Sequence, residues 1–121
     1  MTEDLYIENL LKRIIKKLED IKAKKIKVLD IKDRTSIADY MIITEGSSSR
    51  HVASIVNNIS KEMKRNIISL EGITNSEWAL IDFGDIILHV FKSEIRTLYN
   101  LEKIWSDKAP DEKKNLASNG I

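Results

Sequence analysis

Residues 78–91, WALIDFGDIILHVF, constrain the chain more than any other stretch. Two runs of apolar, largely β-branched or aromatic residues flank Gly84, the pattern of an antiparallel hairpin whose turn uses a positive φ that glycine adopts without a Cβ penalty. With Phe83 and Gly84 as the turn, Asp82 pairs with Asp85, Ile81 with Ile86, Leu80 with Ile87, Ala79 with Leu88 and Trp78 with His89. A three-residue turn over 83–85 instead puts Asp82 opposite Ile86. Alternation within each strand does not depend on the turn. One face therefore carries Ala79, Ile81, Ile86, Leu88 and Val90 and must be core. The other carries Trp78, Leu80, Asp82, Asp85, Ile87, His89 and Phe91, an apolar band with acids at the turn, and is expected to stay open to a partner.

The rest of the chain supplies what such a hairpin packs against. From Glu3 to about Ala23, apolar residues at Ile7, Leu10, Leu11, Ile14, Ile15, Leu18 and Ile21 follow helical spacing. Residues 25–31 (KIKVLDI) and 40–46 (YMIITEG) read as strands separated by the loop KDRTSIAD. A second helix is expected to start near Ser48, where a hydroxyl can cap it ahead of Val52, Ile55, Val56, Ile59 and Met63. A short strand over 67–72 follows, then the hairpin, then a helix from a capping Ser93 to Trp105. The order αββαβββα predicts a single layered α/β (α+β) domain of about five strands and three helices over residues 1–106. The polar, aperiodic residues 107–121 are expected to be a disordered tail.

With 20 basic and 19 acidic side chains, the overall balance disfavours bulk nucleic-acid binding without excluding it. Cysteine is absent and histidine occurs twice, which disfavours disulfide frameworks and thiolate or histidine metal sites. Acidic residues stand where a signal peptide needs positive charge, and no apolar run approaches a membrane span, so a cytoplasmic location is expected. No cofactor is expected.

Each polar group of the hairpin has a bland and a functional reading. Trp78 either plugs the core or anchors a partner. His89 is either a covered histidine bonded to a neighbour or a base. Asp82 and Asp85 flank a glycine turn, where carboxylates bond the backbone locally. Residues 67–105 hold three basic against six acidic side chains, which favours a basic partner, while residues 3–27 hold eight basic against five acidic. GSSSR at 46–50 follows a strand and opens a helix, so it could seat a phosphate, but it has neither P-loop nor dinucleotide spacing. His51 near Ser49 makes no triad by adjacency alone.

Taken in order, DRTSIADYMIITEGSSSRHVASIVNNI, the Glu71-Gly72 pair, WALIDFGDIILHVF and EIRTLYNLEKIW resemble the ribosomal silencing factor (Iojap) family over about Lys25 to Trp105. The resemblance implies a mixed sheet of nucleotidyltransferase-like topology without catalytic metal ligands; no Asp-x-Asp pair follows Gly46-Ser47. It implies a protein that is not an enzyme and that binds the large ribosomal subunit through its fourteenth protein. There it would block joining of the small subunit under nutrient limitation. It carries Trp78, Asp82, Asp85 and His89 over as partner-binding positions, to which the alternation of the hairpin adds Leu80 and Ile87, with Asp39, Tyr40, Glu71, Arg96 and Tyr99 as further members. It leaves room for a minor contact with ribosomal RNA and for a homodimer of the free protein. The alternative from a different class is a nucleotide-binding enzyme using residues 46–50.

Overall fold

The computed structural model describes residues 2–72 and 77–99. The apolar stripe of the first segment forms helix α1 (Thr2–Asp20), which buries Ile7, Leu10, Ile14 and Leu18. Strands β1 (Lys24–Asp30) and β2 (Tyr40–Gly46) follow, then helix α2 (Ser49–Glu62). Ser48 caps α2 as its sequence predicts: its backbone is extended and its hydroxyl accepts from the His51 N–H at 3.1 Å. A 3-10 turn (Lys64–Asn66) leads to β3 (Ser69–Glu71), the hairpin strands β4 (Trp78–Asp82) and β5 (Ile86–Lys92), and helix α3 (Ser93–Tyr99). Ser93 ties α3 to the sheet, its hydroxyl donating to the Gly46 carbonyl at 3.2 Å. The remainder of the helix expected to reach Trp105, and the tail at 107–121, lie outside the described residues.

The five strands make one mixed sheet in the order β1-β2-β5-β4-β3, with β2 and β5 parallel and the other pairs antiparallel. The parallel pair is central and buried on both faces. Helices α1 and α2 cover one face, closing Ile42, Ala79, Ile81, Ile86, Leu88 and Val90 against Val52, Ile55 and Ile59. The other face carries a smaller cluster of Leu29, Ile31, Ala38, Met41, Ile43 and Phe91, with Trp78, Ile87 and Ile95 packed against it.

Strand β1 holds one extra residue between Lys24 and Lys27, where Lys25 has φ 49°. Such a bulge leaves carbonyls without ladder partners, and two side chains supply them. Thr44 Oγ1 donates to Lys24 O at 2.7 Å, and Arg96 Nη1 donates to Lys25 O at 2.6 Å. At the opposite edge Gly72 has φ +81°, and a Cβ there would collide with the carbonyl oxygen of Trp78. Gly72→Ala therefore forces the three-residue β3 off β4. Because β3 is an edge strand, we expect a loss of about 2 kcal/mol confined to that edge, read by urea unfolding and by faster amide exchange in β3 and β4.

The hairpin register differs from the expectation. Asp82 pairs with Ile87, Ile81 with Leu88, Leu80 with His89, Ala79 with Val90 and Trp78 with Phe91, so the turn is Gly84-Asp85. Phe83 extends the ladder, its N–H donating to Ile86 O at 2.9 Å, because its ring joins the main core. Asp82 Oδ1 accepts from the Gly84 N–H at 2.7 Å, and Gly84 takes φ +99° at the first turn position. The shift preserves which residues share a face.

Candidate partner-docking face

The second sheet face gathers the hairpin's non-core residues. Trp78 is half-buried, its indole stacked on Phe91 (centroids 5.3 Å, 19°) and on His89 (5.9 Å, 27°). Its Nε1–H donates to His89 Nδ1 at 3.0 Å. That bond requires a neutral imidazole protonated on Nε2, and burial provides it by pulling the His89 pKa from 6.5 down to about 4. Among the described residues, the Phe91 and His89 rings and the His89 hydrogen bond hold the indole in a fixed pose, with little rotamer freedom left to lose on contact with a partner. Leu80, and farther along the same face Asp82 and its cross-strand partner Ile87, are half-buried, and Glu71, opposite Leu80, is exposed.

Two expectations for this face need correction. His89 is only 6% exposed and Phe91 is fully buried, because β5 is a central strand whose second face is covered as well as its first. His89 therefore offers little surface of its own and holds the Trp78 indole instead. Arg96 is likewise no surface group. It is 9% exposed, with Nη1 3.2 Å from Oε2 of the equally buried Glu45.

Asp85 is exposed in the turn, and its carbonyl accepts from the N–H groups of Asp39 (2.8 Å) and Tyr40 (3.1 Å). Asp39, Tyr40, Asp82, Asp85 and Ile87 thus meet at one end of the sheet. Tyr40 leans toward the main core, its hydroxyl accepting from Lys32 Nζ at 3.2 Å. Tyr99 ends the described part of α3, and its side chain lies outside the described residues. Sequence reasoning missed Ile37, which is 65% exposed in the loop beside Ala38 of the same apolar cluster. An isoleucine within the polar run DRTSIAD was the available signal.

Among the described residues of 67–99 both bases are engaged: Lys92 pairs with Glu94 at 3.5 Å and Arg96 with Glu45, while Glu71, Asp82 and Asp85 add negative charge at the surface.

The 46–50 loop is organised differently from a phosphate cradle. The Ser47 N–H donates to His51 Nδ1 at 2.9 Å and the His51 N–H to Ser48 Oγ, so side chains already take two donors that a phosphate would use. With Nδ1 accepting, His51 Nε2–H donates to Ile21 O at 3.2 Å and pins α2 to the end of α1. Among the described residues, no group of three or more His, Cys, Asp or Glu stands close enough to hold a metal, and no helix is long and apolar enough to cross a membrane.

Comparison with known proteins places this architecture. The family model described as "Ribosomal silencing factor during starvation" matches residues 5–120. The chain is 39% identical over 101 residues to "Ribosomal silencing factor RsfS" of Zymomonas mobilis, covering 81% of this chain and 76% of that one. It is 28% identical over 105 residues to the mouse "Mitochondrial assembly of ribosomal large subunit protein 1", covering 82% of this chain and 46% of that longer one. A crystal structure from Chromobacterium violaceum superposes with a TM-score of 0.80 at 36% identity, covering 86% of this chain and 89% of that one.

Proposed function

Because this chain belongs to the ribosomal silencing factor family, we propose that it silences translation by docking its Trp78 face on the large ribosomal subunit and obstructing the small one. The observation that carries this is the locked indole at one end of an apolar strip that runs along β4 to the acids at the hairpin turn. Rigid aromatic anchors beside desolvated aliphatic residues are where interface free energy concentrates. Acidic rims select basic partners and speed the encounter. The fourteenth protein of the large subunit is the partner the family resemblance names, and the name of the mouse relative adds support for the large subunit. Trp78, Leu80, Ile87, Asp82 and Asp85 make the contact, with Glu71 and Asp39 at the rim. A cytoplasmic location follows from that role. The mechanism is occlusion, so no reaction is catalysed.

Trp78→Ala combined with Asp82→Lys removes the anchor and reverses a charge at the rim. Pelleting with purified large subunits should fall at least ~30-fold while circular dichroism stays near wild type. Undiminished pelleting of the double variant would refute the assignment of this face. Titration calorimetry with magnesium and ATP addresses the nucleotide-binding alternative, and the occlusion reading expects no heat of binding.

A further inference from the structure

The helical layer carries a second surface, of opposite charge, on the other side of the sheet. Lys12, Arg13, Lys16 and Lys17 form one strip along α1, at spacings of one and four residues. Lys61 lies in the last turn of α2, and Lys64 and Arg65 follow on the 3-10 turn. Both sets line an open groove of two depressions, about 350 and 430 Å³, that share Arg13 and Glu62. Seven cations face two carboxylates there, in a chain whose total charge is only +1. The two carboxylates are weakly engaged: Lys16 with Asp20 at 3.6 Å, and the half-buried Lys17 with the exposed Glu62 at 3.8 Å, pairs of small energetic weight. Among the described residues Lys12, Arg13, Lys61, Lys64 and Arg65 make no ion pair. Asn66 Nδ2 donates to the Tyr6 hydroxyl at 2.8 Å and fixes the spacing of the two walls, while Met63 closes the floor.

We infer that this groove is a second binding surface and takes the phosphodiester backbone of folded RNA. A single compact anion is best held by converging N–H donors in an enclosed pocket. An elongated open trough of ammonium and guanidinium groups on both walls instead matches a repeating polyanion, where each contact releases condensed counterions. The groove and the Trp78 face lie on opposite sides of one sheet, so both can be occupied together. The choice of RNA over other polyanions rests on the ribosomal reading above; the choice of a repeating phosphate ligand does not.

The test is an anisotropy titration of a fluorescein-labelled RNA hairpin with the full chain across a salt series. Arg13→Glu/Lys64→Glu, one reversal on each wall, should weaken binding at least tenfold and flatten the dependence of log affinity on log salt by roughly 1.5–2. Lys12→Gln/Lys61→Gln should act in the same direction more weakly. All four positions are exposed, so thermal melts should stay at the wild-type value. Trp78→Ala/Asp82→Lys should bind the hairpin as wild type does. Equal affinity of the charge-reversed chain, or tighter binding to phosphatidylglycerol vesicles than to the hairpin, would overturn the inference. A chain that pellets with large subunits but ignores the hairpin sinks the groove alone. One that holds the hairpin at these residues but never pellets with subunits supports the groove and sinks the docking reading.

Discussion

Glu45→Leu should destabilise the fold by about 3–5 kcal/mol, and replacing Arg96 as well should recover most of that loss. Glu45 and Arg96 are 5% and 9% exposed, and their facing atoms stand 3.2 Å apart. Removing the carboxylate leaves the guanidinium buried without that counter-ion, at a cost well above what an exposed pair contributes. Arg96→Met performs the mirror experiment and leaves Glu45 buried without its cation. In Glu45→Leu/Arg96→Met neither charge is left behind, so the double variant should be more stable than either single one. It should still fall roughly 1 kcal/mol short of wild type, because the Lys25 carbonyl at the β1 bulge loses the donor that satisfies it. Urea unfolding of the four proteins gives the coupling free energy directly. Additive losses would show that the pair is solvated. The pair also joins α3 to β2 and the β1 bulge, so Glu45→Leu should loosen α3 before the helices on the opposite face.

The second large effect is on pH. Burial lowers the His89 pKa from 6.5 to about 4, so an unfolded chain takes up this proton near 6.5 and the folded chain only near 4. Between those values the unfolded state binds more protons. Stability is therefore fully present above about pH 6.5 and is lost progressively as the pH falls toward 4, by roughly 3 kcal/mol in all. Carboxylates add a decline that wild type and variant share. His89→Phe keeps an aromatic ring against Trp78 and Phe91 but has nothing to protonate. Its stability between pH 7 and pH 4 should fall roughly 3 kcal/mol less than that of wild type, measured by denaturant titration at each pH. Identical slopes would show that His89 is not a buried neutral group. Protonation of Nδ1 also removes the acceptor for the Trp78 indole, so wild-type docking should weaken at low pH ahead of global unfolding.

How much of this was legible in the sequence depended on the range of the interaction. The order of elements, the bounds of β2 and the Ser48 cap follow from local spacing and one hydroxyl, and all three stand in the structure. The sharing of faces in the hairpin was also legible, since alternation is a property of the strand itself. The turn was not. Glycine advertises a positive φ but not its place in the turn, and burial of Phe83 in the main core moved the turn one residue along. Nor could the chain announce that β5 would lie beside β2, a parallel pairing across some forty residues of sequence. That pairing buries His89 and Phe91, turning two expected surface groups into the bed on which Trp78 rests. Arg96 misled for a related reason: its partner Glu45 lies on a distant strand, and nothing local separates a buried guanidinium from an exposed one. The basic strip of α1 was visible as an excess of charge, but only the fold sets Lys61, Lys64 and Arg65 across from it.

The claim that the chain keeps ribosomal subunits apart is tested most directly by mixing purified large and small subunits under joining conditions and resolving them on a sucrose gradient. With the wild-type chain in modest excess, the joined particle should give way to separate subunits, with the chain travelling on the large one. An undiminished joined peak, with the chain left at the top of the gradient, would contradict it.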